Sequence, residues 1–434
     1  MLIPRPALAA VAAALREAPG GRRVAVVDAD LDPLDLVRAG AGAFAASAYF
    51  SGPGGLALGG LGTAWSASAS GPGRFAALDA ALAEALPPGL PAFIGFAFAS
   101  DGRASPDWEG FPAAAALLPQ VAAVRREGRT RLVVALPPGA SPGTVLAAAG
   151  TLRVPAAPWA PEAAGTEEVP PVGEWRRGVS AAAASADSGG PAKVVLARSL
   201  RVALDRPAEP FDLVALLRER YPSCYLYGWQ MGPAALVGAS PELLVSREGA
   251  RFQCRPLAGS APRGQDPEAD RRLGRALLRS TKEAAEHALV AEAVAAALRP
   301  LAGSLEVPPG PVLDRLPGVQ HLATPISGTT TARLLALAEA LHPTPAVAGV
   351  PRDRALAAIA AAEVFDRGWY AGGVGWADAG GDGEVAVALR GALIRHDQAT
   401  LYAGAGIVAG SDPAAEAAET GLKLEAVLGL FGRA

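Results

Sequence analysis

The sequence predicts an α+β protein: large antiparallel β-sheets stacked in a sandwich, with helices packed outside. Three observations lead there. Apolar residues make up 51% of a chain of 434, enough for a substantial core. Strand-like segments follow one another with only tight turns between them, as in Cys224–Met231, Ala234–Gly238, Glu242–Arg247 and Arg251–Pro256. Parallel neighbours need a long crossover, so closely spaced strands argue for antiparallel pairing over a doubly wound sheet. Finally, Glu127-Gly128 and Glu248-Gly249 sit between pairs of strand-like runs, where short hairpin turns belong.

Taken in order, residues 1–20 read as an amphipathic helix rather than a signal peptide, and Arg23–Val27 as a short strand. Ala43–Phe50, Gly55–Trp65 and Ala92–Ala99 are Gly-rich apolar strands, with a helix at Arg74–Leu86 between the last two. Gln120–Arg126 and Thr130–Leu136 form a hairpin, and Ser141–Thr151 a helix. Val154–Val172 is dense in proline and reads as a linker or surface loop. That divides the chain into an N-terminal part, residues 1–165, contributing strands and helices to the same fold, and a core, residues 166–434.

The core begins with a helix, Glu174–Ala186, and a strand, Lys193–Val202. Phe211–Arg220 is helix, Pro267–Pro300 one long helical pattern, and Val319–Ser327 a strand. Thr331–Leu341 and Arg352–Ala362 are helices. A Gly-rich turn at Tyr370–Trp376 leads to a strand over Glu384–Ile394, a polar turn, a second strand over Thr400–Val408 and a closing helix.

Several functions are excluded at this level. The formal net charge is -3 with no block of like charge, so neither nucleic acid nor an anionic membrane surface is an expected partner. No window is long and apolar enough for a membrane span. Two cysteines, Cys224 and Cys254, are too few for a disulfide framework and fit a reducing, cytoplasmic setting. The four histidines lack the spacing of a zinc site.

What remains is a set of charged residues on an apolar chain. On a continuous strand, Arg390 shares a face with Ala386, Ala388 and Ala392, which leaves room above it for a small anion. The following strand ends in Gly404-Ala405-Gly406, where bare backbone can approach that anion. Glu416, Glu419 and Lys423 then lie on one face of the closing helix, and Glu283 and Glu286 repeat the i, i+3 spacing on the long helix. Carboxylate pairs of this kind suit Mg²⁺, which keeps several waters and takes few protein ligands; they also read as solvated helix faces. Lys193 opens an apolar strand and reads either as an edge lysine or as a base, since an amine held away from water gives up its proton more readily. Glu242, between apolar segments, reads either as a strand-edge charge or as a proton donor.

Nine segments in order resemble the chorismate-utilising enzymes, the family of isochorismate, salicylate, anthranilate and aminodeoxychorismate synthases. They are AKVVLAR, GASPELLV, CRPLAGSAPRG, STKEAAEH, VQHLATPISG, LHPTPAVAG, RGWYAGGVGW, GEVAVALRGALI and GAGIVAGSDPAAEAAETGLK, and they cover residues 170–434. LHPTPA and RGWYAGGVGW are most similar to isochorismate synthases. The resemblance implies a stacked-sheet fold of the anthranilate and isochorismate synthase kind, with a chorismate-binding catalytic core over residues 166–434. It implies Mg²⁺-dependent conversion of chorismate to isochorismate by a single chain, with no glutaminase subunit. Lys193 matches the general base and Glu242 the general acid. Glu286 and Glu419 match the metal-site glutamates, with Glu283 and Glu416 beside them. Tyr370, Arg390, the Gly404–Ala405–Gly406 backbone and Lys423 match positions that hold substrate carboxylates. Gly259 and Ser260 match a Gly-Thr pair at the substrate ring, so Ser260 departs from the pattern. His321 matches a histidine of open role. Ala346 stands where salicylate synthases carry Thr, which favours stopping at isochorismate over eliminating pyruvate. Gly373 stands where isochorismate synthases commonly carry Pro.

Overall fold

The structure is a computed structural model and describes residues 1–17, 24–101 and 105–432. Residues 18–20 of the expected first helix, and Arg23 of the expected first strand, lie outside the described residues. Within them, the strands form a 12-stranded, a 9-stranded and a 3-stranded sheet. Every ladder is antiparallel. No helix among the described residues is long and apolar enough to cross a membrane.

The two large sheets share strands from both halves of the chain. In the 12-stranded sheet Ala46–Ser51 pairs with Tyr225–Met231, and in the 9-stranded sheet Ala92–Phe96 pairs with Gly373–Ala377. Side chains alternate faces along each strand, and the burial follows that period of two. Ala48 and Phe50 face one core, shared with Phe93, Phe96, Val374 and Val385 of the second sheet, while Tyr49 between them faces a second core. Leu236 and Val237 divide in the same way. The second core is closed by helices Pro33–Gly40, Pro210–Arg220 and Pro413–Leu428, which lay Leu34, Leu213, Leu217 and Val427 against the outer face of the 12-stranded sheet. The stacked sheets with helices outside are thus the arrangement predicted from closely spaced strands.

The hairpin Val121–Arg126 and Arg129–Ala135 turns on Glu127 and Gly128, both with positive φ (52° and 76°), as a type I′ turn requires. Elsewhere the sequence reading needs correction. Val154–Val172 is not wholly loop: Ala163–Val169 is a strand paired with Lys193–Leu204. The expected helix over Pro267–Pro300 is two helices, Pro267–Arg279 and Thr281–Leu298. Ser280 between them is extended (ψ 116°) and its Oγ accepts from the Glu283 amide. Ser280-Thr-Lys-Glu283 has the S-x-x-E spacing of a capping box, a signal the helical periodicity concealed. Val319–Ser327 also divides, into Val319–Ala323 of the small sheet and Ile326–Thr330 of the 9-stranded sheet, because Pro325 offers no ladder donor. The strands Leu257–Pro262, Ala302–Glu306 and Val312–Arg315 had no clear signature in sequence. Gly373–Ala377, within the expected Gly-rich turn, is a buried strand.

The largest correction falls on Glu384–Ile394. It is two strands, Gly383–Val387 in the 9-stranded sheet and Gly391–Arg395 in the 12-stranded sheet. Arg390 lies in the link between them with φ 51°. A side chain in a left-handed conformation belongs to no strand face, so the shared face with Ala386, Ala388 and Ala392 does not exist. Arg390 is aimed instead by the passage of the chain between sheets.

Candidate active site

One cavity gathers most of the residues singled out in sequence. Lys193, Glu242, Gly259, Ser260, Glu286, His321, Ala346, Tyr370, Arg390, Gly404, Gly406, Glu419 and Lys423 all line it. Ala405 does not, because its side chain takes the opposite face of the strand and is buried in the core. Glu283 and Glu416 stand behind the lining, one turn away from Glu286 and Glu419 on the helices Thr281–Leu298 and Pro413–Leu428.

The cavity sits where the large sheets meet. Lys193 is the first residue of the long strand Lys193–Leu204, pairs across to Val408, and is 1% exposed. Its Nζ lies 2.9 Å from Glu286 Oε1. Gly406 opposite must lack a side chain: a Cβ there would lie 2.6 Å from Glu286 Oε1 and from Lys193 Cε. Bare backbone at this strand end therefore serves first to admit the Lys193–Glu286 pair.

Glu242 follows the strand Ala234–Ser240 and precedes Leu243–Glu248, again at a passage between the two sheets. It is 3% exposed. Burial pushes its carboxyl from the ordinary 4.5 up to about 8, against the downward pull of Lys193 and a backbone donor at Leu257. A carboxylic acid in this setting keeps its proton at neutral pH and can donate it.

On the other side, a fixed hydrogen-bond chain joins two charged groups. Arg390 Nη2 lies 3.1 Å from His321 Nε2, and His321 Nδ1 lies 3.0 Å from Ser260 Oγ. A guanidinium only donates, so Nε2 accepts and Nδ1 carries the proton toward Ser260. Burial, with Arg390 and Lys423 adding to it, lowers His321 to about 3 and keeps the ring neutral. Ser260 in turn bonds Glu419. Burial alone would raise Glu419, but Lys423, 2.6 Å away, and the Ser260 hydroxyl hold it down to about 2. Lys423 Nζ also donates to the Gly404 carbonyl at 2.8 Å.

The four glutamates form a connected patch of negative charge. Burial raises Glu283, and repulsion from Glu286 and Glu419 raises it further. Burial and Glu419 do the same to Glu416, whose Oε1 lies 3.3 Å from Lys282 Nζ. Three lysines, Lys193, Lys282 and Lys423, thus face four carboxylates. Among the described residues no three His, Cys, Asp or Glu side chains form a ready-made metal centre. Mg²⁺ does not need one: it takes one or two carboxylates and completes its shell with water and substrate oxygens. Glu286 and Glu419, the two that reach the cavity, fit that requirement.

Sequence reasoning missed several wall residues. Tyr402 stacks on Tyr370 with ring centroids 5.1 Å apart, and Val195, Leu257 and Val347 supply apolar surface. It also missed Lys282 as the partner of Glu416, although Lys282 is printed in the same STKEAAEH segment. Behind the wall, buried Arg367 pairs with Glu363 and donates to the carbonyls of Val195 and Val347, both at 2.8 Å.

The fold and this cavity define a class. A family model described as chorismate binding enzyme matches residues 21–432, and the chain belongs to that family. Its relatives narrow the comparison. It is 43% identical over 274 residues to isochorismate synthase DhbC of Bacillus subtilis, covering 61% of this chain and 69% of that one. To the salicylate biosynthesis isochorismate synthase of Pseudomonas aeruginosa it is 44% identical over 256 residues, 58% of this chain and 54% of the relative. The match thus spans about half the length of that second relative. Among solved structures, MenF, the menaquinone-specific isochorismate synthase from Escherichia coli, superimposes with a TM-score of 0.85 at 27% identity, over 98% of this chain and 99% of that one.

Proposed function

We propose that the chain is an isochorismate synthase: it adds water at C2 of chorismate and removes the hydroxyl at C4, with Mg²⁺ bound. The observation that carries this reading is the pairing of two buried titratable groups, Lys193 and Glu242, in one cavity that also holds Arg390 and Lys423. The reaction needs a base for the incoming water and an acid for the departing hydroxyl. Glu242, protonated at neutral pH, gives its proton to the C4 hydroxyl. Lys193 takes a proton from the water that attacks C2. Lys193 comes from the start of a strand and Glu242 from a passage between sheets, so neither has to serve both carbons.

Chorismate carries two carboxylates, and Arg390, Lys423 and the Tyr370 hydroxyl are the donors available to hold them. The neutral His321 fixes the Arg390 guanidinium by accepting one of its hydrogen bonds. Gly259 and Ser260 shape the wall beside the ring, where Gly259 adopts φ 79°. Glu286 and Glu419 would hold Mg²⁺, with Glu283 and Glu416 beside them; the ion, when bound, would neutralise a substrate carboxylate and polarise it toward the reaction. Ala346 leaves the wall small at the position where a hydroxyl-bearing residue marks salicylate synthases. The enzyme works as a single chain in the cytoplasm, with chorismate as its only organic substrate. Residues 1–165 supply strands to both large sheets and 166–434 supply the catalytic groups.

The direct test is incubation of the purified chain with chorismate and Mg²⁺, followed by chromatography and proton NMR. Isochorismate should accumulate to equilibrium with chorismate, without pyruvate. Salicylate and pyruvate in equal amounts, or turnover only with added ammonia, would replace this reading with one of the other reactions of the family.

A further inference from the structure

A second cavity, of about 420 Å³, lies apart from the first, between the helices Arg74–Ala85 and Arg352–Ala362 and the segment Glu363–Arg367. None of its lining residues lines the first cavity, although Glu363 and Arg367 stand behind that cavity's wall. Part of its wall is apolar and aromatic: Phe75 and Phe98 stand near the ring of His342, and Leu356 and Ile359 come from the facing helix. Burial, with Arg74 and Arg352 adding to it, lowers His342 to about 3, so the ring is neutral and behaves as part of the aromatic wall.

Two guanidinium groups reach this cavity without a carboxylate partner. Arg74, 3% exposed, donates to the carbonyls of Ala97 and Ala99. Arg352 donates through Nη2 to the carbonyls of Ala340 and Leu341, at 2.8 and 3.2 Å, at the end of the preceding helix. Neither forms a salt bridge among the described residues. Burial outweighs the carboxylates within their reach: it lowers Arg74 to about 10 despite Asp101 and Glu339, and lowers Arg352 despite Asp353. Glu339 is exposed at the rim, where water screens it. The third arginine of the wall, Arg367, is already neutralised by Glu363.

A buried cation with no carboxylate partner among the described residues is costly, and a cavity that keeps Arg74 in that state, with the half-buried Arg352 beside the same apolar rings, is complementary to an anion with an apolar body. Aromatic walls favour an aromatic body, through edge-to-face contact and burial. The volume suits a small molecule, and polar groups share the wall with the rings, among them the carboxylates of Glu363, paired with Arg367, and of Asp366, whose Oδ1 accepts from the Gly368 amide.

We propose that this cavity is a second binding site, separate from the catalytic one, for a small aromatic monocarboxylate. The ring lies among Phe75, Phe98, Leu356 and Ile359, and the carboxylate meets Arg74 and Arg352. The site shares a wall with the catalytic cavity through Arg367, which donates to the carbonyls of Val195 and Val347.

The test is calorimetric titration with 3-phenylpropanoate and with its neutral analogue 3-phenylpropanamide. Binding of the acid should saturate at one per chain, and the amide should bind at least about tenfold more weakly. Arg390→Ala, which alters the first cavity, should leave the affinity unchanged. Arg352→Met should weaken it at least about tenfold, and Leu356→Trp, which fills the cavity while leaving both arginines, should do the same. The proposal is overturned if the wild-type chain shows no saturable binding in the millimolar range, or if acid and amide bind equally. It is also overturned if Arg390→Ala abolishes binding while Arg352→Met and Leu356→Trp retain it, because the ligand then occupies the catalytic cavity.

Discussion

Replacing Glu242 with Gln separates the catalytic value of that carboxyl from its cost to the fold. The group is 3% exposed, and burial moves it from the ordinary 4.5 to about 8. Between those values the folded chain keeps a proton that the unfolded chain gives up, so wild-type stability falls as pH rises through that window. Below about 4.5 both states hold the proton and no cost arises. Each unit corresponds to about 1.4 kcal/mol. The carboxyl therefore costs under about 1 kcal/mol at pH 5, about 3 at pH 7 and about 5 above pH 8. Gln has nearly the same shape and does not titrate. Urea melts of wild type and Glu242→Gln at pH 5, 7 and 9 should show the variant gaining stability with pH by about those amounts. Activity should move the other way: kcat falls at least about 10²-fold in the variant, and wild-type kcat/KM falls above about pH 8 as the acid loses its proton. A stability difference that is the same at pH 5 and pH 9 would refute the burial argument, whatever the effect on rate.

Lys193→Ala should lower kcat for isochorismate formation at least about 10²-fold while chorismate still binds; a variant keeping more than about a tenth of wild-type kcat removes Lys193 as the base. Because base and acid act as a unit, Lys193→Ala combined with Glu242→Gln should be little worse than the worse single variant. Arg390→Ala should weaken chorismate binding by about 2–4 kcal/mol in equilibrium titration, since a buried carboxylate loses a charged donor; a Kd within about twofold of wild type contradicts that role. Chelation of Mg²⁺ should abolish turnover, and Glu286→Gln or Glu419→Gln should nearly do so, with full activity in excess chelator the contrary result.

The sheet-on-sheet fold was legible because its signals are local. Alternating apolar residues and Gly-containing turns mark each strand, and short spacing forces antiparallel pairing. What stayed hidden is where the chain changes sheets. Val387 and Gly391 lie four positions apart in a run apolar but for Arg390, and nothing in the period of two announces that they belong to different ladders. The charged residues of the cavity were legible as residue types out of place on an apolar chain, Lys193 and Glu242 above all. Their neighbours were not, because Tyr402, Val195 and Val347 are ordinary core residues in sequence and become wall only when strands distant in the chain meet. Lys282 illustrates a different failure. It carries no signal of its own in the helical pattern, yet its position in the first turn after Ser280 brings it across to Glu416 on the last helix.

The two passages between sheets explain why the cavity lies where it does. The chain leaves the 12-stranded sheet after Ser240, passes Glu242, and enters the 9-stranded sheet at Leu243. It returns from Val387 through Arg390 to Gly391. The strands on either side pair with each other, Gly238 with Gly391 and Leu243 with Ala386, so the two passages run next to one another. A chain bending out of a ladder leaves backbone and side chains that no neighbouring strand occupies, and here those side chains are the proposed acid and the proposed carboxylate anchor. The bend is held open by Tyr227, whose hydroxyl donates to the Leu389 carbonyl at 2.9 Å. That ring fits only because its neighbours lack side chains: a Cβ on Gly238 or Gly391 would lie 2.3 or 2.4 Å from the Tyr227 oxygen. The glycines in GASPELLV and LRGALI therefore serve the site indirectly, by admitting the tyrosine that fixes the return passage and with it the left-handed Arg390.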